Sequence, residues 1–523
     1  MTGLSSIYEI VRENGQRTPQ KTALVLGENR LTYGEVLALV EKLTRALHGA
    51  SITKGTHFAL AAHNSMEFAL LMLAAAKLGA VIVPLPPGVK GAGSSTAVKV
   101  AECSHLIAPE QVCAALCGEA LFPGESCITM ESITQLCATC EKEDFFPISY
   151  QVEPSCDYII TMTSGSTGQP KPIVFTQETK LLRAYSATRD IYGLNEDSVV
   201  LTATPMHHSL AQRSVLLPLL LGGTGVILPK FSPAGWLEAV RKEKITFLFA
   251  VSNQLEILLE YNIGRPFDIS SLKTIVSSSA LLKDEVKQQL LNALPCAINE
   301  CYGTSEIGVA SDISINSRRD KLGSVGTPLP HVAIKVTDDA RKTLLPYETG
   351  EIACKTITRF SRYYNNPNAT ANCFDSDGFF YTGDLGYLDN DGYLYYRGRK
   401  RDIVITGGIN VHPQDIEEVL ATAPGVAEGA VIGVEDSYFG EAVLAILAPK
   451  EGKQLDIAAV MQHCAGQLAE YQQPMAYEVL PKLPRNPMGK LMKDELRKQY
   501  SGYDATRNLR ALMLGGREKK ECE

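Results

Sequence analysis

The sequence predicts an α/β protein: a large, multi-lobed N-terminal domain of helix-covered sheets with a small β-barrel-like lobe, then a small α+β C-terminal domain. Three observations predict it. Helix and strand signals alternate up to about residue 345, short Gly- and Tyr-rich strands follow, and the charged run Arg397-Gly398-Arg399-Lys400-Arg401-Asp402 precedes a fresh strand and helix. Alternation of this kind lays helices on the faces of a sheet, and a charged run where the pattern restarts marks a boundary. We place the division between 1–400 and 401–523. A chain of 523 residues is long enough for several packing units, because single cores stop growing beyond a few hundred residues.

Local signals set the elements in order. Thr32-x-x-Glu35 is a capping box before an apolar helix ending at Gly49, and Asn64-x-x-Glu67 opens a second that stops at Gly79 before a strand over 80–85. Ser232-Pro233 caps a helix running to about Lys244, after which 245–251 reads as a continuous buried strand. Residues 273–277 read as another, followed by an amphipathic helix over 283–294. Beyond 345, Gly378-Phe379-Phe380-Tyr381-Thr382-Gly383-Asp384 and Asp391-Gly392-Tyr393-Leu394 predict hairpins. A strand over 403–406 and a helix over 413–423 open the C-terminal domain.

Composition excludes several classes. With 45% hydrophobic and 21% charged residues the chain is an ordinary soluble globular protein, and a net charge of -8 argues against a nucleic-acid partner held by phosphate neutralisation. The N-terminus has charges where a signal peptide would be apolar. The most apolar stretch, 68–85, is broken by Lys77, Gly79 and Pro84, so it reads as a helix turning into a strand and not as a membrane span. The expectation is a cytoplasmic protein. Thirteen cysteines, an odd number, fit reduced thiols better than a disulfide framework. Six fall between 103 and 140, but Cys137-x-x-Cys140 has no second such pair, so these residues read as small buried apolar groups and not as a zinc site.

One segment carries more chemistry than the rest. Thr163-Ser164-Gly165-Ser166-Thr167-Gly168-Gln169-Pro170-Lys171 follows the apolar run 158–162. Its glycines let backbone N–H groups converge on an anion, its four hydroxyls add donors, and Lys171 adds a positive charge. Such a turn suits a polyphosphate, ATP first. The spacing is neither GxxxxGK[ST] nor GxGxxG, and a surface loop rich in turn formers is the other reading of this segment alone.

Four further segments, in order, complete a pattern: Tyr302-Gly303-Thr304-Ser305-Glu306, Tyr381-Thr382-Gly383-Asp384, Arg399-Lys400-Arg401-Asp402 and Pro484-Arg485-Asn486-Pro487-Met488-Gly489-Lys490. With these the chain resembles, over most of its length, the adenylate-forming superfamily of acyl-CoA synthetases, firefly luciferase and adenylation domains. The resemblance implies that Thr163, Ser164, Gly165, Ser166, Thr167, Gly168, Lys171, Tyr302 and Gly303 hold the nucleotide. It gives Glu306 to Mg²⁺, Thr304 to the acyl phosphate, Asp384 to the ribose hydroxyls, Arg399 to ribose or phosphate, and Lys490 to both carboxylate and α-phosphate. Without that context Glu306 reads as a cap or salt-bridge residue, Asp384 as a turn cap and Lys490 as a solvated surface lysine. Ser305 stands where the family usually has Thr, and Arg401 stands at the hinge position usually held by Asp or Lys.

The resemblance also implies an acyl pocket near His208, with Gln212 one helical turn on. Residues Ser277, Ser278 and Ser279 occupy a stretch that in the family usually contains glycines. A His pair before an apolar helix otherwise reads as packing. Arg213 reads as a helix-surface residue, the other reading being a contact to a second carboxylate or polar substituent of the substrate. Gly407 and Gly408 would lie where pantetheine passes, and Gly407 through Pro413 with Tyr438-Phe439-Gly440-Glu441 looks most like CoA ligases. The implied reaction is activation of a carboxylic acid by ATP and Mg²⁺, then rotation of the C-terminal domain and transfer to coenzyme A. A carrier protein is the alternative acceptor. A regulatory nucleotide binder without chemistry is disfavoured by the intact Glu306, Asp384 and Lys490. The acid itself, fatty, aromatic or dicarboxylic, is left open.

Overall fold

Eleven of the thirteen residues in helix Met66–Leu78 are buried, which is why its sequence is apolar on every side: it is a core helix and not a surface one. The computed structural model that shows this describes residues 5–87, 92–118, 122, 126–138, 151–164, 170–261, 269–486 and 489–506. Two compact units emerge. The first holds Met1–Ile334, Ala353–Phe380 and Gly392–Leu394, and the second holds Lys335–Ile352, Tyr381–Asp391 and Tyr395–Glu523.

The first unit contains two sheets. A nine-stranded sheet runs Thr327–Pro328, Gly308–Ser314, Ala297–Thr304, Thr274–Ser278, Phe247–Val251, Val199–Thr202, Thr224–Ile227, Thr22–Leu26 and Asn29–Thr32. Its six central strands are parallel, with antiparallel pairs at both edges. Register fixes two different faces, because side chains alternate along each strand. Leu201, Leu248, Ile275 and Ile298 face one apolar core together with Trp236 and Val240. Phe249, Val276 and Asn299 are in register on the opposite face, as are Cys301 and Asp312. That second face is covered by the segment around Tyr192, whose ring lies 5.4 Å from Phe247, and by helix Ser209–Leu221. A seven-stranded sheet completes the unit, in the order Arg362–Tyr363, Pro170–Thr176, Asp157–Ser164, Val81–Leu85, His57–Ala61, His105–Ala108 and Cys127–Thr129.

The second unit contains most of a four-stranded sheet, Val332–Thr337, Gly350–Thr356, Phe380–Leu388 and Leu394–Arg399, where a barrel-like lobe was expected. Its other sheet has the order Ile409–Val411, Val404–Thr406, Gly440–Pro449 and Val426–Asp436, with Ala476–Val479 pairing parallel to Gly440–Pro449. Helices Pro413–Ala421 and Ile457–Ala465 cover the face carrying Val431, Val443 and Leu447. Leu496 of helix Lys493–Gln499 packs on the other, against Ile432, Leu444 and Ile446.

Several local expectations hold, and two need correction. Thr32 and Glu35 form the capping box, the hydroxyl accepting from Glu35 N and the carboxylate from Thr32 N at 2.7 Å. Ser232 caps Pro233–Glu243, which ends at Lys244 in a left-handed conformation. The cap of helix Met66–Leu78, however, is Ser65, whose hydroxyl accepts from Phe68 N at 3.1 Å. Asn64 instead donates to the carbonyls of Thr204 and Leu228 and accepts from Met206 N at 2.7 Å, so it positions the segment leading to His207. The second correction concerns thiols. Among the described residues nine cysteines are free and Cys127 is disulfide-bonded, so reduced thiols do not describe all of them. Cys140 lies outside the described residues. Among them no helix is long and apolar enough to cross a membrane.

Candidate active site

In the first unit the phosphate-loop segment connects two antiparallel strands and does not open a helix. Thr163 pairs with Lys171 and Ser164 with Pro170 across strands Asp157–Ser164 and Pro170–Thr176. Gly165, Ser166, Thr167 and Gly168 lie outside the described residues. The Lys171 ammonium sits 5.6 Å over the Tyr363 ring, and the Tyr363 hydroxyl donates to Glu306 Oε1 at 3.2 Å. The structure therefore brings Lys171 and Glu306 to one tyrosine. A cavity of about 660 Å³, lined by Arg359, Arg362, Tyr363 and Phe374 among others, opens at the same tyrosine.

Thr304, Ser305 and Glu306 lie at the turn between strands Ala297–Thr304 and Gly308–Ser314. Tyr302 is buried in the first of these, and Gly303 is required beside it because a Cβ there would collide with the Gly308 carbonyl. Arg183 holds the turn from beneath: Nη2 donates to the carbonyls of Ser305 and Glu306 at 2.9 and 3.1 Å, and Nε to that of Thr358 at 2.9 Å. Burial, then repulsion from Arg213, lowers the Arg183 guanidinium to about 9, so it stays charged at neutral pH.

His208 is the last residue before helix Ser209–Leu221, with its ring 4.2 Å from that of His207. Both Nε2 atoms are buried without a hydrogen-bond partner. Burial lowers His208 to about 4, and burial with the neighbouring His208 and His63 lowers His207 to about 3. Both rings are neutral at pH 7. Gln212 is fully buried, its amide oxygen accepting from Lys180 Nζ at 2.8 Å and its Nε2 donating to the His207 carbonyl at 3.4 Å. Arg213 contradicts the surface reading outright. It is only 8% exposed, and its guanidinium stacks 5.3 Å from the Phe249 ring. Ser278 is half-buried and bonded to Cys301, while Ser279 is exposed and held at φ 76°. That left-handed conformation, easy for the glycine usual in the family, strains a serine by ~1–2 kcal/mol.

The second unit gathers the remaining candidates. Asp384 is 3% exposed and lies 3.3 Å from Arg399 Nε. Its backbone is fixed by Thr382, whose hydroxyl accepts from Asp384 N and donates to the Ile352 carbonyl, and by Glu351, which accepts from Gly383 N. Lys490 belongs to the same cluster. Burial first, then the Arg399 guanidinium, lower its ammonium from 10.5 to about 8, against attraction by Asp384. Its backbone is clamped by Asn486, which exchanges hydrogen bonds with it at 2.9 Å, and by Gly489 at φ 72°. Arg401 pairs with Asp494 at 3.2 Å. Gly407 and Gly408, at φ 56° and 81°, form the two-residue loop of the hairpin in which Thr406 pairs with Ile409. Two successive positive φ values are the signature of a type I′ turn, which by itself calls for these glycines.

Lys180, Arg183, Tyr363 and Asn64 were not foreseen. The first three sit in no recognisable motif, Asn64 was read only as a helix cap, and their burial is a product of long-range packing.

Comparison with known proteins places this geometry. Residues 11–364 match the AMP-binding enzyme family, and residues 415–490 match the AMP-binding enzyme C-terminal domain. The chain belongs to the AMP-binding enzyme family. This AMP-binding enzyme is 31% identical over 494 residues to the indoleacetate–CoA ligase of Aromatoleum aromaticum, covering 92% of this chain and 95% of that one. Its fold is similar to ATP-bound MatB from Rhodopseudomonas palustris, with a TM-score of 0.85 and 27% identity over 95% of this chain and 99% of that one. It is also similar to o-succinylbenzoate CoA synthetase (MenE) from Bacillus subtilis in complex with its acyl-adenylate intermediate, with a TM-score of 0.84 and 27% identity over 94% and 98% of the two chains. The resemblance read from five motifs is thereby established.

Proposed function

We propose that this AMP-binding enzyme activates a carboxylic acid with ATP to an acyl-adenylate and transfers the acyl group to coenzyme A, releasing AMP and pyrophosphate. The chain is an AMP-forming acid–CoA ligase, as its full-length similarity to acid–CoA ligases supports. The observation that carries the mechanism is Lys490, a half-buried ammonium beside Asp384 and Arg399. Attack of a carboxylate on the α-phosphate brings two anions together, and a cation in a dry site stabilises the transition state far more than one in water. Lys490 supplies that cation while it stays protonated. Asp384 offers two acceptor oxygens to the ribose hydroxyls, with Arg399 at its side.

In the first unit Lys171 and the loop before it hold the phosphates, and Thr304, fixed at the turn by Arg183, donates to the acyl phosphate. Magnesium fits Glu306: a hard cation bound with a nucleotide needs one or two carboxylates and phosphate oxygens, not a cage of three. No group of three metal-ligating side chains occurs among the described residues, and Glu306 has one oxygen on the Tyr363 hydroxyl. Bound there, Mg²⁺ would neutralise phosphate charge. The neutral His208 ring neither protonates nor attracts the incoming carboxylate, so its part is to pack beside the reacting end and gate the thiol.

For the second step the boundary stays at 400/401, with Arg401 as hinge. Its ion pair to Asp494 is exposed enough to exchange at little cost. Gly407 and Gly408 keep the proposed path for pantetheine narrow, although their turn needs glycine on its own account. The test is acid-dependent release of AMP and pyrophosphate by the purified protein with CoA over a panel of acids, with the acyl-CoA detected by mass. Pyrophosphate exchange without acyl-CoA formation would contradict the thioester half of the reading.

A further inference from the structure

We propose that the acid activated by this enzyme carries a second carboxylate, remote from the reacting one, and that Arg213 binds it. The inference rests on the acid-activating function above and names its substrate class.

Among the described residues Arg213 is a buried cation without an anion. Its Nε and Nη1 are both shut off from solvent and both lack a hydrogen-bond partner. The acidic groups nearest it in charge are Tyr192 and Cys301, and burial holds both protonated, pushing the Cys301 thiol up to about 12 and the Tyr192 hydroxyl well above its usual value. Asp312, on the same sheet face, is already engaged: Oδ2 accepts from Tyr192 at 2.7 Å and Oδ1 from Asn299 at 2.6 Å. Lys180 and Arg183 bring no negative charge: both are buried basic groups, shifted toward their neutral forms by burial first and then by repulsion among these groups, Arg213 included. Each of those two has acceptors, Gln212 for Lys180 and three backbone carbonyls for Arg183. Arg213 has none.

The position suits a substrate. Arg213 lies one and a half turns beyond His208 on helix Ser209–Leu221, over the sheet face that carries Phe249, Val276, Ser278 and Cys301. Ligands of open parallel sheets bind beyond the carboxyl ends of the strands, where Ser278 and Cys301 sit. Thr202 Oγ1, at the carboxyl end of its own strand, and the His207 and His208 Nε2 atoms are likewise buried and unpartnered. A purely apolar acyl chain would leave all these groups unmatched, at a cost for each. Nε and Nη1, on different sides of the guanidinium, each lack an acceptor, and a carboxylate supplies acceptor oxygens and the missing negative charge together. A neutral carbonyl would satisfy one donor and leave the charge uncompensated.

The experiment is ATP–pyrophosphate exchange with three matched sets: dicarboxylic acids, their methyl half-esters and monocarboxylic acids of equal length, on wild type and on Arg213→Met and Arg213→Lys. We expect the wild type to prefer a dicarboxylic acid over its half-ester by on the order of 100-fold in kcat/KM. Arg213→Met should abolish that preference, leaving ATP affinity unchanged, and Arg213→Lys should keep part of it. Should Arg213→Met fail to fold, the half-ester comparison on wild type still decides. Equal turnover of half-ester and dicarboxylic acid, a neutral acid as best substrate, or the same ranking in wild type and Arg213→Met would overturn this inference while leaving acid activation standing. Exchange with no acid of any set would overturn the underlying reading and this inference with it.

Discussion

Two clusters, one in each unit, handle charge in opposite ways. In the first, Lys180, Arg183 and Arg213 are buried basic groups whose charged forms repel one another and which are held by backbone carbonyls, an amide and aromatic faces. In the second, charges come in matched pairs: Asp384 with Arg399, Asp402 with Arg497, Arg401 with Asp494 and Glu417 with Lys493. The contrast teaches what each part is built for. A cluster of like charge fixed by packing is pre-organised for an anion that arrives from outside, and its desolvation cost is met only when the ligand binds. A network of alternating charge is stable on its own and can trade one partner for another. Catalytic groups that must engage and release a nucleotide belong in the second kind of setting.

Four substitutions and one titration sharpen or break this contrast. The largest effect falls on Lys490. Lys490→Ala should lower the adenylation rate by on the order of 10³-fold while ATP binding, followed by calorimetry, stays largely intact; an unchanged rate would mean that another cation meets the α-phosphate. Next comes a fully buried pair of the first unit, Lys287 with Glu300 at 2.7 Å, both nearly inaccessible. Breaking it with Lys287→Met should cost ~3–5 kcal/mol in denaturant unfolding, whereas replacing both partners with apolar residues should recover most of that. If the single variant is as stable as wild type, the pair is not what anchors the strand leading to Tyr302. Asp384→Ala should raise the KM for ATP by on the order of 10-fold or more and affect GTP and ATP alike, since the contact is to ribose; discrimination between the bases would move Asp384 elsewhere.

The titration concerns Lys490. Its ammonium loses its proton near pH 8 in the folded chain rather than near 10.5. Adenylation that needs the cation should therefore decline as pH rises through about 8, and Lys490→Arg should flatten that limb. Stability runs the other way: between about 8 and 10.5 the unfolded chain binds more protons at this site than the folded one, so the site's contribution rises with pH there. An alkaline limb identical in wild type and Lys490→Arg would assign it to another group. The smallest effect is at Ser279, whose φ of 76° is relieved in Ser279→Gly, with an expected gain of ~1 kcal/mol in thermal unfolding.

Much of the fold was legible because its signals are local. Thr32 and Glu35 define their helix start within four residues, and Ser232 with Pro233 does the same. Asn64 misled because Asn and Ser are both good caps and adjacent; which of them turns inward is decided by the carbonyls of Thr204 and Leu228, far away in sequence. Glu306, Asp384 and Lys490 stood out by motif alone. Arg213 did not, although a signal existed: helix Ser209–Leu221 is apolar on nearly all sides, and a helix apolar all round is buried together with any arginine on it. Lys180 and Arg183 had no such marker. What each cation touches is a property of the packed sheet and not of its neighbours in the chain.

The most direct test of the central claim is acid-dependent ATP–pyrophosphate exchange by the purified chain, repeated with CoA and scored for acyl-CoA. Exchange that requires a carboxylic acid, disappears in Lys490→Ala and turns into acyl-CoA and AMP when CoA is added is the expected result. Exchange that proceeds without any acid, or that persists undiminished in Lys490→Ala, would contradict the account.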